Sequence, residues 1–259
     1  MGGGLRHRGA LHLLVERDSP VHRARPEAKV VALVLFAVAL AATPERALAA
    51  FALHGAVLAL VAGAARLPAG TVRRRALVAL PFLGVAALLP FAADGPRVAL
   101  GPLAVSEDGL WAGGALAARA VLGATAAVVL TATTSVADLL AGLAHLRLPR
   151  VVVGIVASML RYLDLVADQL HRTRLAMAAR GHDPRWLWQA RPLAAGAGTL
   201  FVRTYERGER VHQAMLARGF TRRLPDLRPP PAGAPAIGWA AALAPALVSL
   251  LVAVGAILR

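Results

Sequence analysis

The chain contains no cysteine, so it has neither a disulfide framework nor a thiolate metal site. Aromatic residues supply only 5% of it. Lysine occurs once, as Lys29, so the rest of the 29 basic residues are arginine. Acidic residues number only 14, which leaves a formal charge of +15. No G-x-x-x-x-G-K-[ST] loop is present, and the glycines at Gly2, Gly3 and Gly4 lack the lysine such a loop needs. That excludes ATP binding of the Walker type. The eight histidines are scattered. No H-x-x-x-H pair or His/carboxylate cluster around His7, His12 or His22 falls on a predicted helix. No metal, cofactor or catalytic site is therefore expected in this chain.

What is abundant is apolar: 58% of the residues. The long apolar runs are residues 30–43, 47–65, 76–93, 110–132 and 236–258. A membrane span needs about 20 mostly apolar residues. The first run is short unless Ala28 and the Lys29 stem extend it. The runs are rich in alanine, glycine, leucine and valine, and small residues let membrane helices approach closely. A basic leader, the first run and Ala47-Leu48-Ala49 together resemble a cleavable signal. The leader is too long for one, and further apolar runs follow at once. A basic balance suits nucleic acid or a membrane surface, and the spans decide for the membrane.

The arginines set an expected orientation. Arg6, Arg8, Arg17, Arg23, Arg25 and Lys29 precede the first run, and Arg66, Arg73, Arg74 and Arg75 lie between the second and third. By the positive-inside rule both segments face the cytoplasm. Asp94, Glu107 and Asp108 stand against Arg97 alone between the third and fourth runs, which should face outside. The expected protein is multi-pass, with a cytoplasmic N-terminus.

Residues 135–228 differ in kind. Their apolar runs, 148–160 and 192–202, are short for spans and suit helices buried in protein or lying at an interface. The expected fold class is an all-α integral membrane protein. It has about five transmembrane helices and a cytoplasmic helical domain between the fourth and last spans. The expected organisation is 1–134 for the N-terminal segment and four spans, 135–228 for the cytoplasmic domain, and 229–259 for a linker and last span. The Pro-rich basic stretch 222–235 reads as that linker.

Two charged helices are predicted inside the cytoplasmic segment. Over 160–180, Leu163, Val166, Leu170 and Met177 form a helical stripe, with Asp168 and Arg172 paired at i, i+4. Over 201–218, Phe201, Tyr205, Val211 and Met215 repeat it, with Glu206 and Arg210 paired likewise. Both helices end on one motif: Ala176-Met177-Ala178-Ala179-Arg180-Gly181, and Ala214-Met215-Leu216-Ala217-Arg218-Gly219. Methionine three residues before arginine puts an adaptable apolar knob beside a planar cationic fork. An arginine before a terminal glycine is also simply a good helix end. Its duplication suggests two equivalent sockets on a dimeric partner.

The stretch FVRTYERGERVHQAMLARGF, residues 201–220, resembles the signature of the T component of energy-coupling-factor transporters, in its cobalt-type branch, CbiQ. Pro20-Val21-His22, Pro26-Glu27-Ala28-Lys29, Thr133-Thr134-Ser135, Asp138-Leu139-Leu140, Leu148-Pro149 and Arg161-Tyr162 follow in the family's order. The resemblance implies a non-catalytic scaffold in a bacterial plasma membrane. Its Ala-Arg-Gly helices would dock on two ATP-binding-cassette ATPase subunits and pass their motion to a substrate-binding S component. Carried over residue by residue, Ala179, Arg180, Gly181, Ala217, Arg218 and Gly219 are the docking residues. Met177 and Met215 are added from their shared face. The implied cargo is cobalt, with nickel or a vitamin such as biotin as alternatives.

Two other classes of protein make demands that the sequence meets less well. A stand-alone carrier or channel needs ionisable groups in several spans. Only Arg119 and His54 qualify. Arg119 is expected to meet either a partner or an internal acceptor, and His54 to be a neutral packing residue. A membrane enzyme needs clustered carboxylates or histidines. Asp164, Asp168 and Asp183 lie near arginines and read as helix-surface pairs.

Overall fold

The computed structural model describes residues 15, 17, 19–94, 96–100, 103–146, 148–181, 191–220 and 236–258. Residues 222–235 and Asp183 lie outside the described residues. The chain divides into two compact units. One comprises residues 12–146 and 230–259; the other comprises residues 1–11 and 147–229.

The first unit begins with the short helix α1 (Pro20–Arg23), where Ser19 caps the helix and Pro20 opens it. Then come α2 (Pro26–Ala42) and α3 (Leu48–Ala64). The first apolar run is thus longer than the sequence alone suggests. The helix reaches back through Glu27, Ala28 and Lys29, all of them buried. Next are α4 (Ala69–Ala76), a 3₁₀ turn (Leu77–Ala79) and α5 (Leu80–Ala92). They run on without interruption, so Arg73, Arg74 and Arg75 lie on a helix rather than in a loop.

Two short strands, β1 (Arg97–Leu100) and β2 (Leu103–Ser106), follow as an antiparallel hairpin pairing Arg97 with Ser106 and Leu100 with Leu103. An all-α reading misses this hairpin. Ser106 then caps α6 (Glu107–Thr133), with Glu107 and Asp108 in its first turn, favourable at the positive end of a helix. Ser135 caps α7 (Val136–His145), bonding the Asp138 amide at 3.1 Å and its carboxylate at 2.6 Å. The unit closes with α10 (Ala236–Ile257). In the second unit lie α8 (Arg150–Ala179) and α9 (Arg191–Ala217).

Among the described residues, two helices are long and apolar enough to cross a membrane on their own, Ala69–Ala92 and Glu107–Thr133. Leu48–Ala64 and Ala242–Ile257 are shorter apolar helices. The core of the first unit gathers Phe36 and Leu40 of α2, Phe51 and Leu58 of α3, and Ala115, Ala126 and Val129 of α6. Glycine lets α5 and α6 touch: a Cβ at Gly113 would sit 2.5 Å from the Ala86 carbonyl oxygen, and one at Gly109 would sit 2.7 Å from that of Leu89. Most other large apolar side chains of α5 point outward, Phe82, Val85, Leu88 and Phe91 among them. Such a face is costly in water and suited to lipid.

Candidate functional site

The two charged helices of the sequence are each longer than expected. Residues 148–160 do not form a separate apolar helix; from Arg150 they are the front half of the 30-residue α8. Residues 192–202 likewise open the 27-residue α9. No break falls inside either. Pro149 stands just before α8 and Pro192 at the second position of α9, where a missing amide costs nothing.

α8 and α9 line a shallow cleft, with Tyr162, Val166 and Gln169 on one wall and Thr204, Arg207 and Gly208 on the other. Nearer the end of α8, Met177 meets Gly196. A Cβ at Gly196 would come within 2.5 Å of the Met177 methyl. So Met177 is half-buried against the neighbouring helix rather than freely presented. The apolar stripes are only partly inward. Val166 and Leu170 are half-buried, whereas Phe201 and Tyr205 are 70% and 65% exposed. Glu206 and Arg210 pair at 3.8 Å across a solvent-exposed turn, which contributes little to stability.

The two helix ends have the same geometry. The Arg180 amide bonds the Met177 carbonyl at 3.1 Å, and the Gly181 amide bonds that of Ala178 at 2.9 Å. At the other end the Arg218 amide bonds Met215 at 3.1 Å, and the Gly219 amide bonds Leu216 at 3.0 Å. The Phe220 amide adds a bond to Met215 at 3.0 Å and completes a Schellman turn. Gly181 has φ +79° and Gly219 φ +78°, the left-handed region that favours glycine. Arg180 and Arg218 are exposed, as are Ala179, Ala217 and both glycines. Met215 is half-buried.

The charges inside the first unit have internal partners. Nη2 of Arg119 donates to the Thr43 carbonyl at 2.7 Å, and its guanidinium lies 5.9 Å from the Phe51 ring centre. His54 is fully buried. The Thr43 hydroxyl gives its proton to the Ala39 carbonyl at 2.8 Å, so its oxygen accepts from Nε2–H of His54 at 3.0 Å. Phe36 meets the imidazole edge-on, with ring centres 5.9 Å apart. The sequence marks Lys29 as an orienting charge at the entry to the first span but not what it bonds, and the structure gives it three acceptors: the carbonyls of His22 and Thr133 and the hydroxyl of Thr134. The signal was available, since this lone lysine sits at the edge of an apolar run. Among the described residues, no group of three or more histidine or carboxylate side chains is placed to hold a metal ion.

Long apolar helices and a lipid-suited face on α5 point to a helical membrane protein. Residues 17–228 match the family CbiQ, cobalt transport protein, and the chain belongs to that family. It is accordingly a transmembrane component of an energy-coupling-factor type transporter. The chain is 29% identical over 218 residues to the energy-coupling factor transporter transmembrane protein EcfT of Heliobacterium modesticaldum, covering 79% of this chain and 81% of that protein. It is 29% identical over 220 residues to the cobalt transport protein CbiQ of Rhodobacter capsulatus, covering 83% and 86%.

Proposed function

We propose that this chain is the scaffold of an energy-coupling-factor importer. In this reading it carries ATP-driven motion from two ATP-binding-cassette ATPase subunits to a substrate-binding S component. The observation that supports this most is the pair of exposed helix ends, with Arg180 and Arg218 held in matching turns before left-handed glycines. Two identical cationic ends suit two identical sockets, and arginine pairs bidentately with a carboxylate. Ala179, Gly181, Ala217 and Gly219 leave room for a close backbone, while Met177 and Met215 offer an adaptable apolar surface beside each arginine. Cobalt is the favoured cargo, after the names of the family and of the Rhodobacter relative. Nickel or a vitamin is the alternative.

The same reading makes the protein multi-pass in the bacterial plasma membrane, with its N-terminus and residues 135–228 cytoplasmic. It assigns the chain no catalysis. A stand-alone carrier is less well supported, because Arg119 and His54 both bond Thr43 within the helix core.

The test is a mild-detergent pull-down from native membranes. Wild type is compared with the double variant Arg180→Glu, Arg218→Glu, whose reversed charge opposes an acidic socket. An ATPase that comes down with wild type and is lost from a folded variant supports the scaffold. An ATPase that stays bound to the variant, or never appears with wild type, removes it.

A further inference from the structure

Lys29 and Arg119 are cations within an apolar unit, and each bonds the C-terminal end of the other's helix. Lys29 stands in the first turn of α2. Its Nζ donates to the carbonyl of Thr133, the last residue of α6, at 3.0 Å, and to the Thr134 hydroxyl at 3.3 Å. Arg119 lies midway along α6. It donates to the carbonyl of Thr43, the residue that ends α2, at 2.7 Å. The last carbonyls of a helix lack intrahelical partners and carry its negative end, so both cations sit where a positive charge is favoured.

The register is regular. Lys29 and Thr43 stand fourteen residues apart, and so do Arg119 and Thr133. The helices therefore run antiparallel, pinned at two points about 21 Å apart. One pin would leave the pair able to pivot. Two resist both sliding and rotation.

The Lys29 pin also gathers the chain around it. Its Nζ takes the His22 carbonyl at 3.2 Å as a third acceptor. The His22 ring bonds the Ser19 hydroxyl at 2.7 Å and the Val15 carbonyl at 3.0 Å, and the Val15 amide bonds Ala132 at 2.9 Å. Ser135, which starts α7, comes next in the chain. α7 seats directly on α2: a Cβ at Gly142 would be 2.8 Å from the Glu27 amide nitrogen. A few residues beyond α7 the chain enters α8.

We propose that Lys29 and Arg119 form a reciprocal clamp that makes α2 and α6 a single rigid strut. Through that strut, displacement of α7 enters the membrane helices. Both residues are positioning residues for coupling, and this role rests on the scaffold reading above. A cation that merely fills a buried site supports stability alone. A registered pin at each end of α2 suits the passage of force along its axis.

The test uses the full transporter complex in vesicles, with Co²⁺ as the transported probe. The variants are Lys29→Met and Arg119→Met, which remove a charge at similar length. Lys29→Arg is the conservative control, and Thr134→Val removes one acceptor with little risk to folding. The Met variants are expected to keep the ATPase bound and hydrolysing, yet deliver about fivefold less Co²⁺ per ATP or lower still, the ordinary scale of coupling between sites. Thr134→Val falls between them and wild type, and Lys29→Arg retains most coupling. An unchanged ratio in both Met variants, or in Thr134→Val if they do not fold, overturns the clamp.

A second readout does not depend on the cargo. The chain has no native cysteine, so spin labels at Ala41 and Val121 would be unique. Wild type is expected to give one narrow distance distribution, the same with and without ATP. The Met variants are expected to broaden it. A wild-type distance that moves with ATP, or clamp variants that stay narrow, defeats the proposal. Failure of wild type to capture an ATPase defeats the scaffold reading instead, and leaves the distance measurement to judge the strut.

Discussion

Thr43 and His54 share one hydrogen bond at 3.0 Å, and its direction is fixed because the threonine proton goes to Ala39. The imidazole is therefore protonated on Nε2, while its Nδ1 has no partner among the described residues. Thr43→Val would strip the acceptor and strand a buried N–H, a loss of about 1–3 kcal/mol. The carbonyl that receives Arg119 would stay in place. Thermal unfolding in detergent, followed by tryptophan fluorescence, is the measurement. His54→Phe combined with Thr43→Val should cost less than the two single losses added together, since the pair acts as a unit.

Gly113 and Gly114 make a matched comparison one residue apart. A side chain at Gly113 meets the Ala86 carbonyl, whereas nothing lies within 4 Å of one at Gly114. Gly113→Val is expected to destabilise the α5–α6 contact by about 1–3 kcal/mol. Gly114→Ala meets no obstruction and should be neutral or stabilise α6 by up to about 1 kcal/mol, as alanine favours a helix interior. The fraction remaining monodisperse after graded heating would separate them.

Gly219 carries the left-handed residue of the α9 end at φ +78°. Gly219→Ala forces an ordinary side chain into that region at a cost of about 1–2 kcal/mol. The helix end should fray and its arginine lose a fixed direction. ATPase capture should fall while membrane insertion is kept. Gly181→Ala should act in the same way, and capture with each variant measures how far the two ends are equivalent.

Met177 and Gly196 test the seam between α8 and α9. Gly196→Ala gains helix propensity of up to about 1 kcal/mol but must displace the methionine methyl. In a Met177→Ala background the obstruction is gone, so Gly196→Ala should stabilise there and gain less in wild type. Circular dichroism on heating all four proteins gives the coupling directly.

Much of this was legible from the residues. Serine caps at Ser106 and Ser135, with acidic residues in the first turns, mark helix starts wherever they occur. The glycine ends at Gly181 and Gly219 were readable because only one residue type is at ease there. The lengths of α8 and α9 were not. A window that changes from apolar to charged looks like two segments, yet nothing at Leu160 or Phe201 breaks a helix. The outward faces of Phe201 and Tyr205 were missed for a related reason: a helical stripe shows a shared face but not what that face meets. The Lys29 pin joins residues 104 positions apart, a pairing no local pattern encodes.

α8 runs for 30 residues without an internal proline. At 1.5 Å per residue that is a rod about 45 Å long. Pivoted at its Pro149 end, a tilt of only about 10° would sweep the Arg180 end through roughly 8 Å by the same geometry. In the opposite direction, a swing of several ångströms where the arginine sits amounts to only a small change of angle at the base, and α8 contains no internal proline at which that stiffness would be lost.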